Sequence, residues 1–261
     1  MCLITLNWQP GELTSLRVVA NRDEFYARPT NALRHWPGQQ ILAGQDLQAG
    51  GTWLGLGVCA ASGQIRLAAL TNYRDVAGQK PDAASRGHLT CAFLQGSMSA
   101  KSYLESLATG VRIYNPFNLV LFDGQDLMAY ESRHQRMFAL TVGITSVSNA
   151  DFNTPWPKLE KLHHAFDQTL QATSDEVLLR EKCFKLLSDE QMAPDGALPQ
   201  TGLSLDRERV LSAAFIRTPD YGTRASSVIA VQGKRAQFTE RSFDSSGFKG
   251  EVTEIIFGSN T

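Results

Sequence analysis

Short apolar runs separated by turn residues dominate the first third of the chain and predict β-strands. Each run spans four to eight residues, which is typical of strands and too short for most helices. Pro10 and Gly11 form a turn between the first two runs, so these runs are expected to form a hairpin. The predicted strands of this region cover residues 2–8, 16–20, 40–43, 52–59 and 64–71.

Helical signals then alternate with further strands. Ser85 is predicted to cap one helix, and Ser99 a second helix that stops at Gly110. Thr173 and Glu176 have the spacing of a capping box that opens a later helix. The predicted helices cover 85–95, 99–110, 158–170 and 173–187, with a loop over 188–205. The remaining predicted strands cover 117–123, 126–132, 137–141, 144–148, 226–231, 237–243 and 251–257.

The order of these elements predicts an α+β fold. Strands, two helices, strands, two helices and strands follow one another along the chain. Two mainly antiparallel sheets packed face to face, with helices outside each sheet, satisfy this order as a four-layer αββα sandwich. The composition, with 43% hydrophobic and 20% charged residues among 261, is that of an ordinary globular protein. We therefore expect a single domain over residues 1–261.

Charge and composition exclude several classes of partner. A net charge of −1 gives no field that favours nucleic acid. No apolar stretch approaches the ~20 residues of a membrane-spanning helix, and the N-terminus lacks the features of a signal peptide. The cysteines and histidines lack the spacing of metal ligands. A cytoplasmic protein that binds a small molecule, without a metal or a resident cofactor, is therefore expected.

Cys2 is the first candidate for chemistry. Removal of Met1 would leave Cys2 with a free α-amino group, which is a usable base near neutral pH. One residue would then supply both the nucleophilic thiol and its base. The competing interpretation is a buried cysteine that only opens an apolar strand.

Polar residues end several of the predicted strands. Arg22 and Asp23 follow the second strand, where its hairpin partner returns beside Cys2. Asn72 and Asn149 each follow a strand, where a side-chain amide can donate to a developing oxyanion. Asn21, Tyr221 and Arg224 are candidates for substrate binding, since an Arg suits an anionic group. For each of these residues, a role in a local turn is the alternative.

These motifs together resemble the NRDE family, which is also called the transport and Golgi organisation 2 family. The resemblance extends from residue 1 to about residue 230. It implies an N-terminal-nucleophile hydrolase fold, in which Cys2, Arg22, Asp23, Asn72 and Asn149 match the catalytic residues of penicillin V acylases and bile salt hydrolases. In those enzymes the Arg and Asp are three positions apart, whereas they are adjacent in this chain, so Asp23 is the weaker assignment. The motifs are Met1-Cys2, Asn21-Arg22-Asp23-Glu24, Gly50-Gly51-Thr52-Trp53-Leu54-Gly55, Thr71-Asn72, Ser85-Arg86-Gly87, Tyr114-Asn115-Pro116-Phe117-Asn118 and Tyr221-Gly222-Thr223-Arg224.

Three functions follow from the residues and the resemblance. The first is a cysteine amidohydrolase that cleaves a non-peptide C–N bond through a Cys2 thioester. The second is a non-enzymatic carrier of haem or lipid, because the eukaryotic relatives that the resemblance implies are linked to haem movement, lipid homeostasis and the secretory pathway. The third is a hydrolase fold that has lost its activity and acts through protein contacts. The substrate and the oligomeric state stay open.

Overall fold

The computed structural model describes residues 2–75 and 78–259. Its strands are Cys2–Trp8 (β1), Leu16–Phe25 (β2), Thr30–His35 (β3), Ile41–Asp46 (β4), Leu54–Val58 (β5), Ile65–Asn72 (β6), Phe117–Phe122 (β7), Leu127–Glu131 (β8), Arg136–Ala139 (β9), Gly143–Val147 (β10), Tyr221–Gln232 (β11), Arg235–Asp244 (β12) and Gly247–Phe257 (β13). Its α-helices are Gly87–Gln95 (α1), Ala100–Ala108 (α2), Pro157–Ala172 (α3), Glu176–Leu187 (α4) and Leu205–Leu211 (α5).

The strands form two antiparallel sheets. Within the described residues, one sheet has the order β10-β1-β2-β11-β12-β13 and the other has the order β3-β4-β5-β6-β7-β8-β9. A core of aliphatic and aromatic side chains, including Ile4 and Val120, lies between the two sheets. Hydrophobic residues of α1 and α2 pack on the outer face of the second sheet, and those of α3 and α4 pack on the outer face of the first. The predicted αββα sandwich is therefore confirmed.

Two strands extend further than the apolar pattern predicts, and both carry motif residues. The predicted strand over 16–20 continues to Phe25, so Asn21 and Asp23 lie within β2 and do not follow it. Likewise β11 begins at Tyr221, ahead of the predicted start at residue 226. The two extensions pair with each other, with a register shift around Arg224. Backbone hydrogen bonds to a neighbouring strand stabilise these polar segments, which have no apolar periodicity to reveal them.

Helix starts differ from the prediction at two points. The helix α1 begins at Gly87, and its cap is Arg86 without a side-chain hydrogen bond, so the predicted Ser85 cap is wrong. Asp175, and not Thr173, caps α4 by accepting from the backbone N–H of Leu178. The Ser99 cap of α2 is confirmed, since its side chain accepts from the N–H of Ser102. The strand β3 and the short helix α5 were not predicted.

Candidate functional site

Cys2 lines a cavity to which strands of both sheets contribute. It begins β1 and is directly opposite Arg22 of β2 in the antiparallel register. Residues opposite each other in such a pair share a face, and Cys2 shares its face with Ile4, which packs in the core between the sheets. The adjoining cavity has a volume of about 690 Å³. The candidate site residues that line it are Cys2, Arg22, Asp23, Asn72 and Arg224.

The Cys2 side chain is nearly inaccessible to solvent and its thiol is protonated at neutral pH. Cys2 is 7% exposed. Burial raises the pKa of the thiol to about 11, because desolvation disfavours the thiolate, while the charge of Arg22 acts in the opposite direction. The Oγ of Ser148 donates to the Cys2 carbonyl at 2.9 Å and fixes the start of β1. A base close to Cys2 is therefore needed before it can act as a nucleophile.

Asn72 and Asn149 differ in what their side-chain amides contact. The Nδ2 of Asn149 donates to the carbonyl of Asn72 at 2.7 Å, and its Oδ1 accepts from the Oγ of Ser148. Asn149 is 1% exposed and does not line the cavity. Asn72 lines the cavity, and its side-chain amide forms no hydrogen bond with the described residues. The geometry thus leaves the Asn72 amide available to a ligand, while Asn149 holds Asn72 in place.

Asp23 faces the opposite side of β2 from Arg22, as adjacent residues of a strand do. Its Oδ1 accepts from the Oγ1 of Thr223 at 2.7 Å. Asp23 is 1% exposed. Burial raises the pKa of its carboxyl group, and the charge of Lys158 is the largest influence in the other direction. The adjacency that separates this chain from the acylases therefore directs the side chains of Arg22 and Asp23 to opposite faces of β2, although both residues border the cavity.

Of the predicted substrate-binding residues, Asn21 and Tyr221 do not line the cavity. Asn21 is completely buried under the helical layer. Its side chain donates to the carbonyls of Leu187 and Ala214, both at 2.8 Å, and accepts from Ser226. Tyr221 packs edge-on against Phe25, with ring centroids 5.1 Å apart. These contacts describe structural roles, and a role in substrate binding stays a prediction for both residues.

Arg224 borders the cavity, but its guanidinium N–H groups donate hydrogen bonds to other residues of the protein. Its Nη1 donates to three backbone carbonyls at 3.0–3.1 Å, and its Nη2 donates to the Oγ1 of Thr30 at 3.1 Å. Its Nε donates to the carbonyl of Phe243. The three carbonyls of the Nη1 contacts belong to Phe25, Tyr26 and Arg28. In the structure Arg224 therefore holds the segment between β2 and β3, and its contact with a ligand stays a prediction.

Sequence reasoning did not assign a role to Arg86, although it belongs to one of the motifs. Arg86 lines the cavity, and its Nη1 donates to the carbonyl of Pro116 at 3.1 Å. Its other donors make no hydrogen bond to the described residues. Burial lowers the pKa of its guanidinium, while the charges of Cys2 and Glu24 raise it. Arg86 and Arg22 therefore present cationic donors on the cavity wall near Cys2.

Sequence reasoning also missed Lys158 and the buried ion pair close to it. Lys158 is 4% exposed, and its Nζ has no hydrogen-bond partner among the described residues. Burial lowers the pKa of Lys158 to about 8, and Asp23 is the largest influence that raises it. Arg74 and Glu208 form an ion pair at 2.7 Å, and each side chain is 4% exposed. The sequence does not indicate a functional role for Lys158, because it lies at the edge of an amphipathic helical pattern.

The free energy of unfolding is expected to rise with pH between about 8 and 10.5 in the wild type relative to Lys158→Met. The folded-state pKa of Lys158 lies below its ordinary value of 10.5. In this interval the unfolded chain binds more protons than the folded chain, so rising pH favours folding. Urea unfolding at several pH values measures the effect. Lys161→Met, on the exposed face of the same helix, is the control, and parallel curves for wild type and Lys158→Met would contradict the expectation.

Two absences bear on the chemistry of the site. No group of three or more His, Cys, Asp or Glu side chains that could hold a metal ion occurs in the described residues. Within the same part of the chain, no helix is long and apolar enough to span a membrane.

Comparisons with known proteins identify the family. The family model described as Transport and Golgi organisation 2 matches residues 1–245. The mouse Transport and Golgi organization 2 homolog is 34% identical over 263 residues, and the bovine homolog is 35% identical, each covering 93% of both chains. The Caenorhabditis elegans N-acylethanolamine-hydrolyzing acid amidase ortholog aligns with a TM-score of 0.37 and 11% identity, over 88% of this chain and 92% of that chain, a likeness too weak to decide the fold or the reaction. Because both the family model and the relatives cover nearly all of its length, the chain belongs to the Transport and Golgi organisation 2 family.

Proposed function

We propose that the protein is a cysteine amidohydrolase that cleaves a non-peptide C–N bond of a polar small molecule. The observation that carries this proposal is the position of Cys2 at the wall of the 690 Å³ cavity, opposite Arg22. A cysteine at the second position of the chain serves both as nucleophile and as carrier of its own base once Met1 is removed. Met1 itself lies outside the described residues.

The reaction has two steps that return the enzyme to its starting state. The α-amino group of Cys2 accepts the thiol proton, and Sγ forms a C–S bond with the carbonyl carbon as negative charge moves to the carbonyl oxygen. Asn72, which lines the same cavity as Cys2, donates to that oxygen through its side-chain amide in this proposal. The C–N bond then breaks, and the proton passes from the α-amino group to the leaving amine. Water gives a proton to the same amino group and attacks the thioester, the C–S bond breaks with release of the carboxylic acid, and the amino group returns the proton to Sγ.

The lining of the cavity favours a polar substrate over haem or a lipid chain. Few large apolar residues line the cavity, and they are Trp53, Leu70 and Phe243. The charged residues that line it are Arg22, Asp23, Glu24, Arg28, Asp46, Arg86, Arg224, Glu240, Asp244 and Lys249. Cys2 is the only described lining residue of a type that binds haem iron, and burial holds its thiol protonated. A haem or lipid carrier therefore remains the second hypothesis, with no feature of the cavity in its favour.

Two assays on the wild-type protein separate the hypotheses. One measures release of primary amine from a set of N-acyl amides whose amine portions are neutral, anionic or cationic. The other titrates haem and records the Soret absorbance. The proposal expects amine release from at least one polar amide and no stoichiometric Soret change. Stoichiometric haem binding without amine release from any amide would overturn it in favour of the carrier.

A further inference from the structure

Asp23 and Lys158 are both buried between the first sheet and its helical layer, and the charge of each acts on the other. Asp23 shares its face of β2 with Asn21, whose amide donates to the carbonyl of Leu187 at the end of α4. The neighbour of Lys158 in α3, Leu159, belongs to the hydrophobic cluster that joins this face to the helices. Lys158 is the second residue of α3. The carboxylate and the ammonium therefore belong to opposing surfaces of one packed interface.

The position of Lys158 is costly unless a carboxylate compensates for it. A buried ammonium loses its hydration, and the N-terminus of a helix carries partial positive charge that disfavours a cation. The charged or ionisable groups that act on Lys158 are Asp23, Arg74, Cys2 and Glu208. Arg74 and Glu208 already neutralise each other at 2.7 Å. Asp23 is therefore the carboxylate that compensates Lys158, and Lys158 in turn favours the ionised form of Asp23.

Asp23 also lies next to the N-terminal end of β1, where Cys2 has its backbone nitrogen. In the register that pairs Cys2 with Arg22, Asp23 is the next residue of β2 past the start of β1. Tyr221 and Thr223 of β11 border Asp23 on its other side, where the Thr223 hydroxyl donates to it. An ionised Asp23 in this place can accept a hydrogen bond from the α-amino group of a processed Cys2.

We infer that Lys158 is a positioning residue, whose buried ammonium keeps Asp23 ionised so that Asp23 orients the α-amino group of Cys2. The role in orientation rests on the proposed function, whereas the coupling between Lys158 and Asp23 does not. Lys158 touches no reacting atom and acts only through Asp23. Loss of its charge removes the main influence that holds the Asp23 pKa down against burial.

The coupling is tested by direct titration of Asp23. The ¹³Cγ resonance of Asp23, assigned with Asp23→Asn, is followed against pH in protein with labelled aspartate. Lys158→Met is expected to raise the Asp23 pKa by about 1–3 units, the usual effect of losing a close opposite charge. Lys158→Gln gives a second neutral variant if the methionine variant does not fold, Lys158→Arg is expected to restore the wild-type value, and Lys161→Met is the matched control. An Asp23 pKa that is the same in the neutral variants as in the wild type would overturn the inference.

The role in the reaction is tested by the pH profile of kcat/KM for whichever amide the wild type hydrolyses. The acidic limb of the profile is expected to move to higher pH in the neutral variants by the same amount as the Asp23 pKa, and to return with Lys158→Arg. A merely structural lysine would lower the rate without moving the limb, and that result would overturn the positioning role. If the wild type hydrolyses no amide, the proposed function fails, and the titration of Asp23 still decides the coupling.

Discussion

Replacing Cys2 with alanine is expected to lower amide hydrolysis by at least about 1000-fold, since the side chain that forms the covalent intermediate is lost. The α-amino group and the cavity remain in the variant, so binding of substrate is expected to persist. The measurement is the single-turnover rate of amine release at saturating substrate, a rate that does not depend on KM.

Cys183→Ala is the matched control for this substitution. Cys183 is buried in the hydrophobic cluster between the first sheet and α4, and burial raises its pKa to about 12. Its removal is expected to leave the turnover rate close to that of the wild type. Hydrolysis by Cys2→Ala at a rate near the wild-type value would show that another group performs the attack.

Replacing Arg74 with methionine is expected to lower the free energy of unfolding by about 3–5 kcal/mol, the usual cost of leaving a buried charge unpaired. Arg74 pairs with Glu208 at 2.7 Å and packs over the ring of Trp156 at 4.7 Å. Its backbone N–H also donates to the carbonyl of Asn149. Arg74 therefore joins the loop that follows Asn72 at the end of β6 to the loop after β10, which carries Asn149.

Urea unfolding of three variants separates the ion pair from other contributions. The double variant Arg74→Met with Glu208→Met is expected to recover much of the lost stability, because it leaves no buried charge unpaired. Arg209→Met removes an exposed ion pair with Asp195 and is expected to leave stability almost unchanged. Equal losses in the single and the double variants would show that packing, and not the unpaired charge, causes the effect.

The layer order of the fold could be predicted because the strands and helices have clear periodicity. The apolar run over residues 2–8 coincides with β1, and the stripe over 158–170 lies within α3. The polar extension of β2 could not be found in the same way, since Asn21 and Asp23 are buried by contacts with α4, with Ala214 after α5 and with β11, all of which come from far along the chain. Their burial depends on tertiary partners and not on a local pattern.

A site residue could be predicted from the sequence only where its chemistry depends on its own position in the chain. Cys2 was notable because its own amino group can serve as a base, a property fixed by its place in the sequence. Arg86 and Lys158 have no such local property. Arg86 becomes part of the site because the start of α1 borders the cavity, and Lys158 because its buried ammonium acts on Asp23. The family resemblance supplied the set of positions, while the structure distinguishes Asn72, which lines the cavity, from Asn149, which does not and whose amide donates to the Asn72 carbonyl.

The most direct test of the central claim is the mass of the purified protein before and after brief treatment with iodoacetamide at neutral pH, with the modified residue located by peptide mass spectrometry. The account predicts a chain that lacks Met1 and carries its first carbamidomethyl group on Cys2, because the freed α-amino group takes up the thiol proton that burial otherwise retains. Cys91, which is more exposed than the other cysteines, is the internal reference for a merely accessible thiol. A chain that retains Met1, or one that is modified at Cys91 before Cys2, would contradict the assignment of Cys2 as the nucleophile.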